Sequence, residues 1–402
     1  MNLSVGIVGL PNVGKSTLFN ALLKKQQALA ANYPFATIEP NIGVVPVPDA
    51  RLTTLAEIVA TKELHLNPLP MGEGQGVRVG WPPLKPATVE FVDIAGLVKG
   101  ASEGAGLGNK FLSHIREVKV IAHVVRAFED PDVVREGSVS PDEDYKTIQM
   151  ELIYADMQTL QKTIDNRKID AVKKSAAMKL LKEMNGGTRA FDVSLTDEER
   201  VAITDLFLLT SKPEIIVLNV TEDQYTEENI PKVIEEYKKL LFPVIANGVK
   251  QSDIDKIAAS SRLGGTPRND NVVVICAKVE AELAELSSEE QKLYLEDLGI
   301  SESGLERLIR KAYELLGLIS FLTAGEKEVR AWTCRKGANA VEASGEIHTD
   351  FMKRFIKAEV ISYDDYVSVG GRKKAREVGK ARLEGRDYVV QDGDVIEFKI
   401  GS

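Results

Sequence analysis

The segment GLPNVGKST, at residues 9–17, has the residue types and spacing of a phosphate-binding loop. Gly9 and Gly14 allow backbone amide groups to curl around a phosphate, and Lys15 brings a positive charge to the β- and γ-phosphates. A short apolar run precedes the loop and an amphipathic helical pattern follows it, which is the context that this motif requires. The pattern predicts a nucleoside triphosphate site whose contacts come from Asn12, Val13, Gly14, Lys15, Ser16 and Thr17.

Two downstream segments supply groups that such a site needs to hold a metal ion. Thr37, in YPFATIEP, lies at the distance expected of a switch threonine that joins Mg²⁺, and Asp93, in DIAG, ends an apolar strand pattern where it can hold Mg²⁺ through water. The Gly96 amide is expected to contact the γ-phosphate. The order of the segments predicts Mg²⁺ as the cofactor, with Ser16, Thr37 and Asp93 as its protein ligands.

The residue after DIAG raises the question of which group orients the attacking water. Many phosphate-loop hydrolases place a glutamine there, whereas Leu97 can neither donate nor accept a hydrogen bond, so slow intrinsic hydrolysis is expected. His114 is one candidate, with an ordinary helix-surface residue as the alternative. Asn12 is expected either to help hold a K⁺ ion or to pack the loop. The predicted catalytic residues are Lys15, Thr37, Gly96 and His114.

A base-recognition motif is altered in the segment PEIIVLNVTEDQ, at residues 213–224. Guanine-binding proteins have Asn-Lys-x-Asp where this chain has Asn219, Val220 and Glu222, and the longer Glu222 disturbs the paired hydrogen bonds that an aspartate makes to guanine. Val220 can offer only apolar contact to a base, while the Asn219 amide suits either purine. The Ala277 amide is expected to approach the purine C6 substituent. The motif argues against strict guanine recognition without creating adenine recognition, and GTP binding stays open.

The surrounding pattern is that of an α/β domain with a mostly parallel sheet. Apolar runs that end at these site residues alternate with helical segments, as expected for strands buried on both faces. Residues 133–208 break the rhythm and predict a helical hairpin inserted between two strands. Residues 319–402 predict a small mixed β module. The predicted domains are 1–132 and 209–318 for the two parts of the nucleotide-binding domain, 133–208 for the insert and 319–402 for the module.

Charge and composition limit the partners and the compartment. The 402 residues carry a net charge of −9, so contact with nucleic acid must come from local basic patches. Such patches occur at 371–386 and in the hairpin, at Lys162, Arg167, Lys168, Lys173, Lys174, Lys179 and Lys182. The hairpin residues are expected to form either an ordinary solvated face of a coiled coil or an arm that contacts a polyanion. Two cysteines, no signal-peptide pattern and no apolar run of membrane-spanning length predict a cytoplasmic protein without membrane contact, and a monomer is favoured.

The order of GLPNVGKST, NYPFATIEPN, DIAGLVKGASEGAGLGNKFLSHIREV, LNVTE and CAKVEAELAEL resembles that of the YchF/Obg-like ATPase family. The segments FLTAGEKEVRAWTC and GKARLEGRDYVVQDGDVIEF resemble the TGS domain of that family, a ubiquitin-like β-grasp module. The resemblance covers nearly the whole chain and weakens in the loop 65–86 and in the segment 223–270.

This resemblance implies a Ras-like nucleotide-binding domain that prefers ATP to GTP and hydrolyses ATP to ADP and phosphate. It also implies a nucleotide-switched regulator of translation or stress response that binds ribosomes or ribosomal RNA through basic patches of the insert and the TGS domain. Two alternatives stay open. One is a GTPase in ribosome assembly, and the other is a nucleotide-gated RNA-binding module in which hydrolysis is incidental.

Overall fold

The computed structural model describes residues 3–32, 41–63, 81–94, 106–128, 141–241 and 271–401. The chain forms two compact units. Unit 1 comprises Met1–Val45, Glu90–Leu286 and Gln291–Leu316, and unit 2 comprises Pro46–Val89, Ser287–Glu290 and Gly317–Ser402. No helix in the described ranges combines the length and the apolar character needed to cross a membrane.

The described strands form two six-stranded sheets, one in each unit. In chain order they are β1 (Ser4–Val8), β2 (Ile42–Pro46), β3 (Leu84–Lys85), β4 (Thr88–Asp93), β5 (Val120–Arg126), β6 (Glu214–Asn219), β7 (Val272–Ile275), β8 (Leu318–Ala324), β9 (Val329–Arg335), β10 (Phe355–Ile361), β11 (Arg382–Glu384) and β12 (Val395–Ile400).

The described helices lie between and around these strands. In chain order they are α1 (Lys15–Asn32), α2 (Arg51–Ile58), α3 (Gly106–Glu117), α4 (Pro141–Asp165), α5 (Ala171–Met184), α6 (Asp197–Ile203), α7 (Asn229–Leu241), α8 (Ala277–Leu283), α9 (Ser288–Asp297), α10 (Gly304–Leu315), α11 (Ala340–Ile347), α12 (Thr349–Arg354), α13 (Tyr363–Val369) and α14 (Arg372–Glu377). A π-helical segment, Val59–Glu63, follows α2.

Unit 1 is built on a sheet with the strand order β2-β4-β1-β5-β6-β7. The pairs β1–β4, β1–β5, β5–β6 and β6–β7 are parallel. Every residue of β5 and β6 is buried, as expected for central parallel strands covered on both faces. The parallel arrangement brings the carboxyl ends of β1, β4, β6 and β7 to one edge of the sheet, which positions the site.

The predicted helical hairpin is confirmed, since α4 and α5 are inserted between β5 and β6. A short turn joins the two helices, and the Asp170 side chain caps α5 by accepting hydrogen bonds from the Val172 and Lys173 amides. The hairpin has its own apolar cluster, which includes Ile153, Leu160, Ala176, Ala177, Leu180 and Met184. Burial of one face of each helix therefore stabilises the insert.

Asp156 anchors the hairpin to the segment that leads into β6. Its carboxyl group is fully buried and accepts hydrogen bonds from the Leu209 and Thr210 amides, at 2.7 and 2.8 Å, and from the Thr210 hydroxyl at 2.7 Å. Burial raises the pKa of Asp156 to about 6, and the bonds from Thr210 and Leu209 offset part of the rise. Because the folded pKa exceeds the unfolded one, the stabilisation by this proton is complete below about pH 4 and is lost as the pH rises through about 6.

Replacing Asp156 by asparagine is expected to lower the free energy of unfolding by about 2–3 kcal/mol at pH 7, because an NH₂ group would face hydrogen-bond donors. On acidification to pH 5 the difference from the wild type should grow by about 1 kcal/mol, since only the wild-type side chain gains a proton. Urea unfolding of both proteins at pH 7 and pH 5 measures these differences in the free energy of unfolding. The control is Asp205→Asn on the exposed carboxylate that pairs with Lys173. A difference that shrinks at pH 5 would contradict the account.

Unit 2 is built on a mixed sheet with the strand order β11-β10-β12-β8-β9-β3. Its apolar cluster includes Phe321, Cys334, Phe355, Ala358, Val360 and Ile396. Residues 46–89 belong to this unit: β3 pairs with β9, and the Arg51 guanidinium bonds Asp49 and Asp392, each at 2.8 Å. The prediction that these residues belong to the first domain, 1–132, is therefore wrong. A pairing between residues so distant in the chain leaves no local pattern in the sequence. The other boundaries stay predictions.

Candidate nucleotide-binding site

The phosphate-binding loop connects β1 to α1 and has a conformation that requires its glycines. A Cβ atom on Gly9 would lie 2.6 Å from the carbonyl oxygen of Val124. Gly14 has φ +99°, and a Cβ atom there would lie 2.3 Å from Asn219 Nδ2. Asn12 also has a positive φ, 61°, which asparagine tolerates better than most residues. The backbone therefore passes close to its neighbours and turns sharply into the helix.

The amino terminus of α1 provides a set of hydrogen-bond donors. The first helical bond runs from the Leu18 amide to the Gly14 carbonyl, at 2.9 Å, so the amides of Lys15, Ser16 and Thr17 have no acceptor within the helix. The helix dipole adds partial positive charge at this end. The side chains of Ser16 and Thr17 are exposed. Donors, dipole and hydroxyl groups together suit a phosphate chain.

Lys15 and Asp93 form an electrostatic pair beside this helix end. The Lys15 side chain is 8% exposed, and its ammonium group donates to the Leu10 carbonyl at 2.5 Å. Burial lowers the pKa of Lys15 to about 8, although the Asp93 carboxylate opposes the shift. Asp93 ends β4 in register with Ile7 of β1, and burial raises its pKa while Lys15 opposes the rise. Each charge therefore stabilises the other in a partly desolvated site.

Nucleotide binding is expected to take up protons near pH 8. About half of the Lys15 side chains are neutral at that pH, and a triphosphate beside the ammonium group should raise the pKa of Lys15 well above it. The expected uptake is about 0.5 proton per nucleotide at pH 8 and about 0.1 at pH 7, so affinity falls as the pH rises above 8. Calorimetric titration in buffers of different ionisation enthalpy measures the number of protons taken up per bound nucleotide. Equal uptake at pH 7 and pH 8 would contradict the assignment.

The residues around Lys15 fit the predicted magnesium ion. Mg²⁺ prefers oxygen ligands and is usually held by one or two protein groups together with phosphate oxygens. The Ser16 hydroxyl is exposed at the helix end, and the Asp93 carboxylate lies on a strand next to β1. Bound there, Mg²⁺ would neutralise phosphate charge. Thr37 and Gly96 lie outside the described residues.

Asn219 connects the phosphate-binding loop to the loop that follows β7. Its side chain is 4% exposed, its Nδ2 donates to the Val13 carbonyl at 3.0 Å, and its Oδ1 accepts from the Ala277 amide at 2.9 Å. The sequence suggested that this amide serves the purine, and the structure shows both ends bonded to the protein. An amide oxygen and an NH₂ group can each form a second hydrogen bond, so contact with a base stays a prediction.

The other predicted base-contacting residues lie in different environments. Val220 is 2% exposed and packs in the apolar cluster behind the sheet edge, which leaves little surface for contact with a base. Glu222 begins a 3₁₀ turn, Glu222–Gln224, and is half-exposed. Its carboxylate lies 3.5 Å from the ammonium group of Lys278, which directly follows Ala277. The altered motif at 219–222 does not predict this neighbour. This exposed pair contributes little to stability.

His114 lies on the exposed face of α3, between the buried residues Leu112 and Ile115. Its accessible position suits contact with water or a partner as well as an ordinary surface role. Leu97, which cannot orient a water molecule, is outside the described residues. The structure therefore brings together Asn12–Thr17, Asp93, Asn219 and Ala277, and leaves the roles of His114 and Glu222 as predictions.

A mostly parallel sheet with a glycine loop, a buried lysine and a helix amino terminus at one edge defines a P-loop nucleoside triphosphatase. The "50S ribosome-binding GTPase" family model matches residues 4–163, and the YchF-GTPase C-terminal model, "Protein of unknown function (DUF933)", matches 318–401. The chain is 46% identical to the "Ribosome-binding ATPase YchF" of Bacillus subtilis (strain 168) and 45% identical to that of Haemophilus influenzae, with 99% of each chain covered. The chain belongs to the YchF family.

A solved structure supports the same grouping. The structure of the Schizosaccharomyces pombe YchF GTPase matches with a TM-score of 0.74 and 32% identity, over 99% of this chain and 98% of that one. The printed names differ on the nucleotide, since the bacterial relatives are named ATPases and the yeast protein a GTPase. The base pocket therefore has to be tested in this chain.

Proposed function

We propose that this protein binds ATP with Mg²⁺, hydrolyses it slowly to ADP and phosphate, and binds ribosomes in a manner that depends on the bound nucleotide. The observation that carries the proposal is the Asn219 bridge, which joins an intact phosphate-binding loop to a base loop with Glu222 in place of the guanine-reading aspartate. The names of the bacterial relatives, ribosome-binding ATPases, agree with it. The family also supports a cytoplasmic location, and a monomer is the simplest state.

In this proposal, each residue of the phosphate site has a separate role in hydrolysis. Lys15 and the loop amides stabilise charge on the transferring phosphoryl group. Ser16, Thr37 and Asp93 would hold Mg²⁺, which would neutralise phosphate charge, and the Gly96 amide would contact the γ-phosphate. His114 orients the attacking water, with a K⁺ ion at Asn12 as the alternative source of help.

Rates of ATP and GTP hydrolysis by the purified protein test the nucleotide preference and the role of His114. Assays with Mg²⁺, in K⁺ and in Na⁺, are compared for the wild type and His114→Ala. The proposal predicts faster turnover of ATP than of GTP and at least about a hundredfold loss of turnover in the variant, the lower end of the range for general acid–base assistance. Unchanged turnover in His114→Ala would remove His114 from the mechanism, and a dependence on K⁺ would favour the ion.

The hairpin tip is the better candidate for contact with ribosomal RNA. In the C-terminal run 371–386, Arg372 and Arg376 both bond Glu359 and Glu397 on neighbouring strands, so much of their charge is neutralised within the protein. Arg167 and Lys168, in the turn between α4 and α5, are exposed, and no carboxylate of the described ranges pairs with either. Exposed cations in the turn of a helical hairpin suit phosphate contacts.

The double change Arg167→Ala/Lys168→Ala is expected to weaken binding to ribosomes, measured by co-sedimentation, by about tenfold. It should also make the slope of log binding constant against log salt concentration less negative by about 2, because two phosphate contacts are lost. Lys232→Ala/Lys292→Ala removes two exposed lysines from α7 and α9 and serves as the matched control. Arg372→Ala should lower thermal stability more than binding, because it leaves buried Glu359 with one partner fewer. Equal binding by the tip variant and the wild type would contradict this assignment.

A further inference from the structure

Two loops border the predicted base site, and they leave the same edge of the sheet. The loop 219–225 follows β6 and carries Glu222, while the loop that begins at Cys276 follows β7 and carries the Ala277 amide. The strands are neighbours in register, with Asn219 opposite Ile275. Asn219 joins the loops at the phosphate side. A second connection lies deeper, at the end of the first loop.

The hydroxyl group of Tyr225 forms this second connection. Tyr225 is fully buried, and its hydroxyl donates to Oε1 of Glu280, on α8, at 2.7 Å. The amide of Gly304, the first residue of α10, donates to the same carboxylate oxygen at 2.8 Å and to the Tyr225 oxygen at 2.5 Å. One hydroxyl therefore ties the loop 219–225 to two helices. Burial raises the pKa of Tyr225, and Glu280 raises it further, so the phenol keeps its proton.

The surroundings hold this hydroxyl in place. A Cβ atom on Gly304 would lie 2.8 Å from the Tyr225 oxygen and 2.8 Å from the Val274 carbonyl oxygen, so the helix end packs directly on the contact. The Arg307 guanidinium lies 5.7 Å from the centre of the Tyr225 ring and donates to the Val274 carbonyl at 3.1 Å. The ring is fully buried, and its hydroxyl is hydrogen-bonded to the Glu280 carboxylate and to the Gly304 amide.

Tyr225 also fixes the turn that presents Glu222. Its amide donates to the Glu222 carbonyl at 2.9 Å and closes the 3₁₀ turn Glu222–Gln224. A shift of Tyr225 therefore moves the backbone that carries Glu222 relative to the loop that carries Ala277. We propose that Tyr225 and Glu280 are positioning residues that set the affinity for the purine base by holding these two loops at a fixed separation. The inference rests on the proposed function, because it assumes that the base binds between the loops.

The test compares a nucleotide with a phosphate chain that has no base. Tyr225→Phe keeps the ring and removes the hydroxyl, and calorimetry measures its affinity for MgATP and for magnesium tripolyphosphate. The expected result is about a tenfold loss of affinity for ATP, the size of one buried hydrogen bond, with tripolyphosphate affinity unchanged within about twofold. Tyr294→Phe is the matched control, because the Tyr294 hydroxyl donates to Glu282 of the same helix at 2.9 Å from outside the loop 219–225.

Other outcomes have separate meanings. Unchanged affinity for both ligands in Tyr225→Phe, or an equal loss for both, would overturn the inference, since a general structural role affects both alike. Gly304→Ala, whose methyl group presses on the same hydroxyl, is the second variant and should give the same base-specific loss. A wild-type preference for GTP would overturn the proposed ATP function alone, because the comparison with tripolyphosphate can then be made with GTP.

Discussion

Replacing Lys15 by alanine is expected to weaken MgATP binding by about 100-fold or more and to abolish measurable hydrolysis. Each hydrogen bond from an ammonium group to a charged oxygen contributes about 1.5–3 kcal/mol, and Lys15 can bond both the β- and the γ-phosphate. The side chain is 8% exposed, so water cannot readily replace the lost cation. Its pairing with Asp93 adds a second effect, because the variant leaves that carboxylate without its neighbouring charge.

Calorimetric titration with a non-hydrolysed ATP analogue measures the loss, and phosphate release measures turnover. Lys24→Ala is the matched control, since Lys24 is on the same helix and pairs with Glu285 at the surface. It should retain affinity within about twofold, because exposed pairs contribute little. A Lys15→Ala protein that binds MgATP within about fivefold of the wild type, a cost below about 1 kcal/mol, would contradict the assignment of the phosphate site.

Asn219→Ala is expected to reduce ATP affinity by a comparable factor, about 30- to 100-fold, and also to lower the melting temperature. The change leaves the Val13 carbonyl and the Ala277 amide without their bonds to this side chain, and each unsatisfied buried group costs about 1–3 kcal/mol. The phosphate loop and the base loop then lose their direct connection. Asn219→Asp should also be impaired, because its second oxygen faces the Val13 carbonyl oxygen.

Calorimetry and thermal unfolding on the same preparations separate binding from folding. Asn229→Ala provides the control, since the Asn229 amide is exposed and donates to the Asp223 carbonyl at 3.0 Å. It should leave ATP affinity unchanged within about twofold. Asn219→Ala with normal affinity and a normal melting temperature would show that the bridge is not needed.

Contiguous residues made the phosphate half of the site predictable. The residues of the loop Gly9–Ser16 are contiguous in the chain, so spacing alone identifies them as a candidate phosphate site. The DIAG and LNVTE motifs predict Asp93 and Asn219 as further site residues, and the parallel strands β4 and β6 end at the same edge of the sheet. The altered motif at 219–222 indicated a changed base site but gave no geometry. Val220, expected at the base, lies almost wholly in the core.

Contacts between distant residues account for what the sequence missed. Tyr225 bonds Glu280 and Gly304, and neither pair leaves a periodic or local signal. The sequence predicts the run 371–386 as a basic patch that could bind nucleic acid. In the structure, however, Arg372 and Arg376 bond acidic residues of neighbouring strands. A count of charges cannot show such pairing. The assignment of residues 46–89 to unit 2 has the same cause, since Arg51 meets Asp392 across most of the chain.

A preference for ATP over GTP distinguishes the proposed function from that of a GTPase, and calorimetric titration with MgATP and MgGTP analogues measures this preference. Glu222→Asp is the variant of choice, because a lysine in place of the buried Val220 would disturb the core. Glu228→Asp, at an exposed pair with Lys232, is the control. We expect ATP to bind at least about tenfold more tightly than GTP, a difference of about 1.4 kcal/mol, and we expect Glu222→Asp to reduce this difference in affinity. Equal or tighter binding of GTP by the wild type would contradict this expectation.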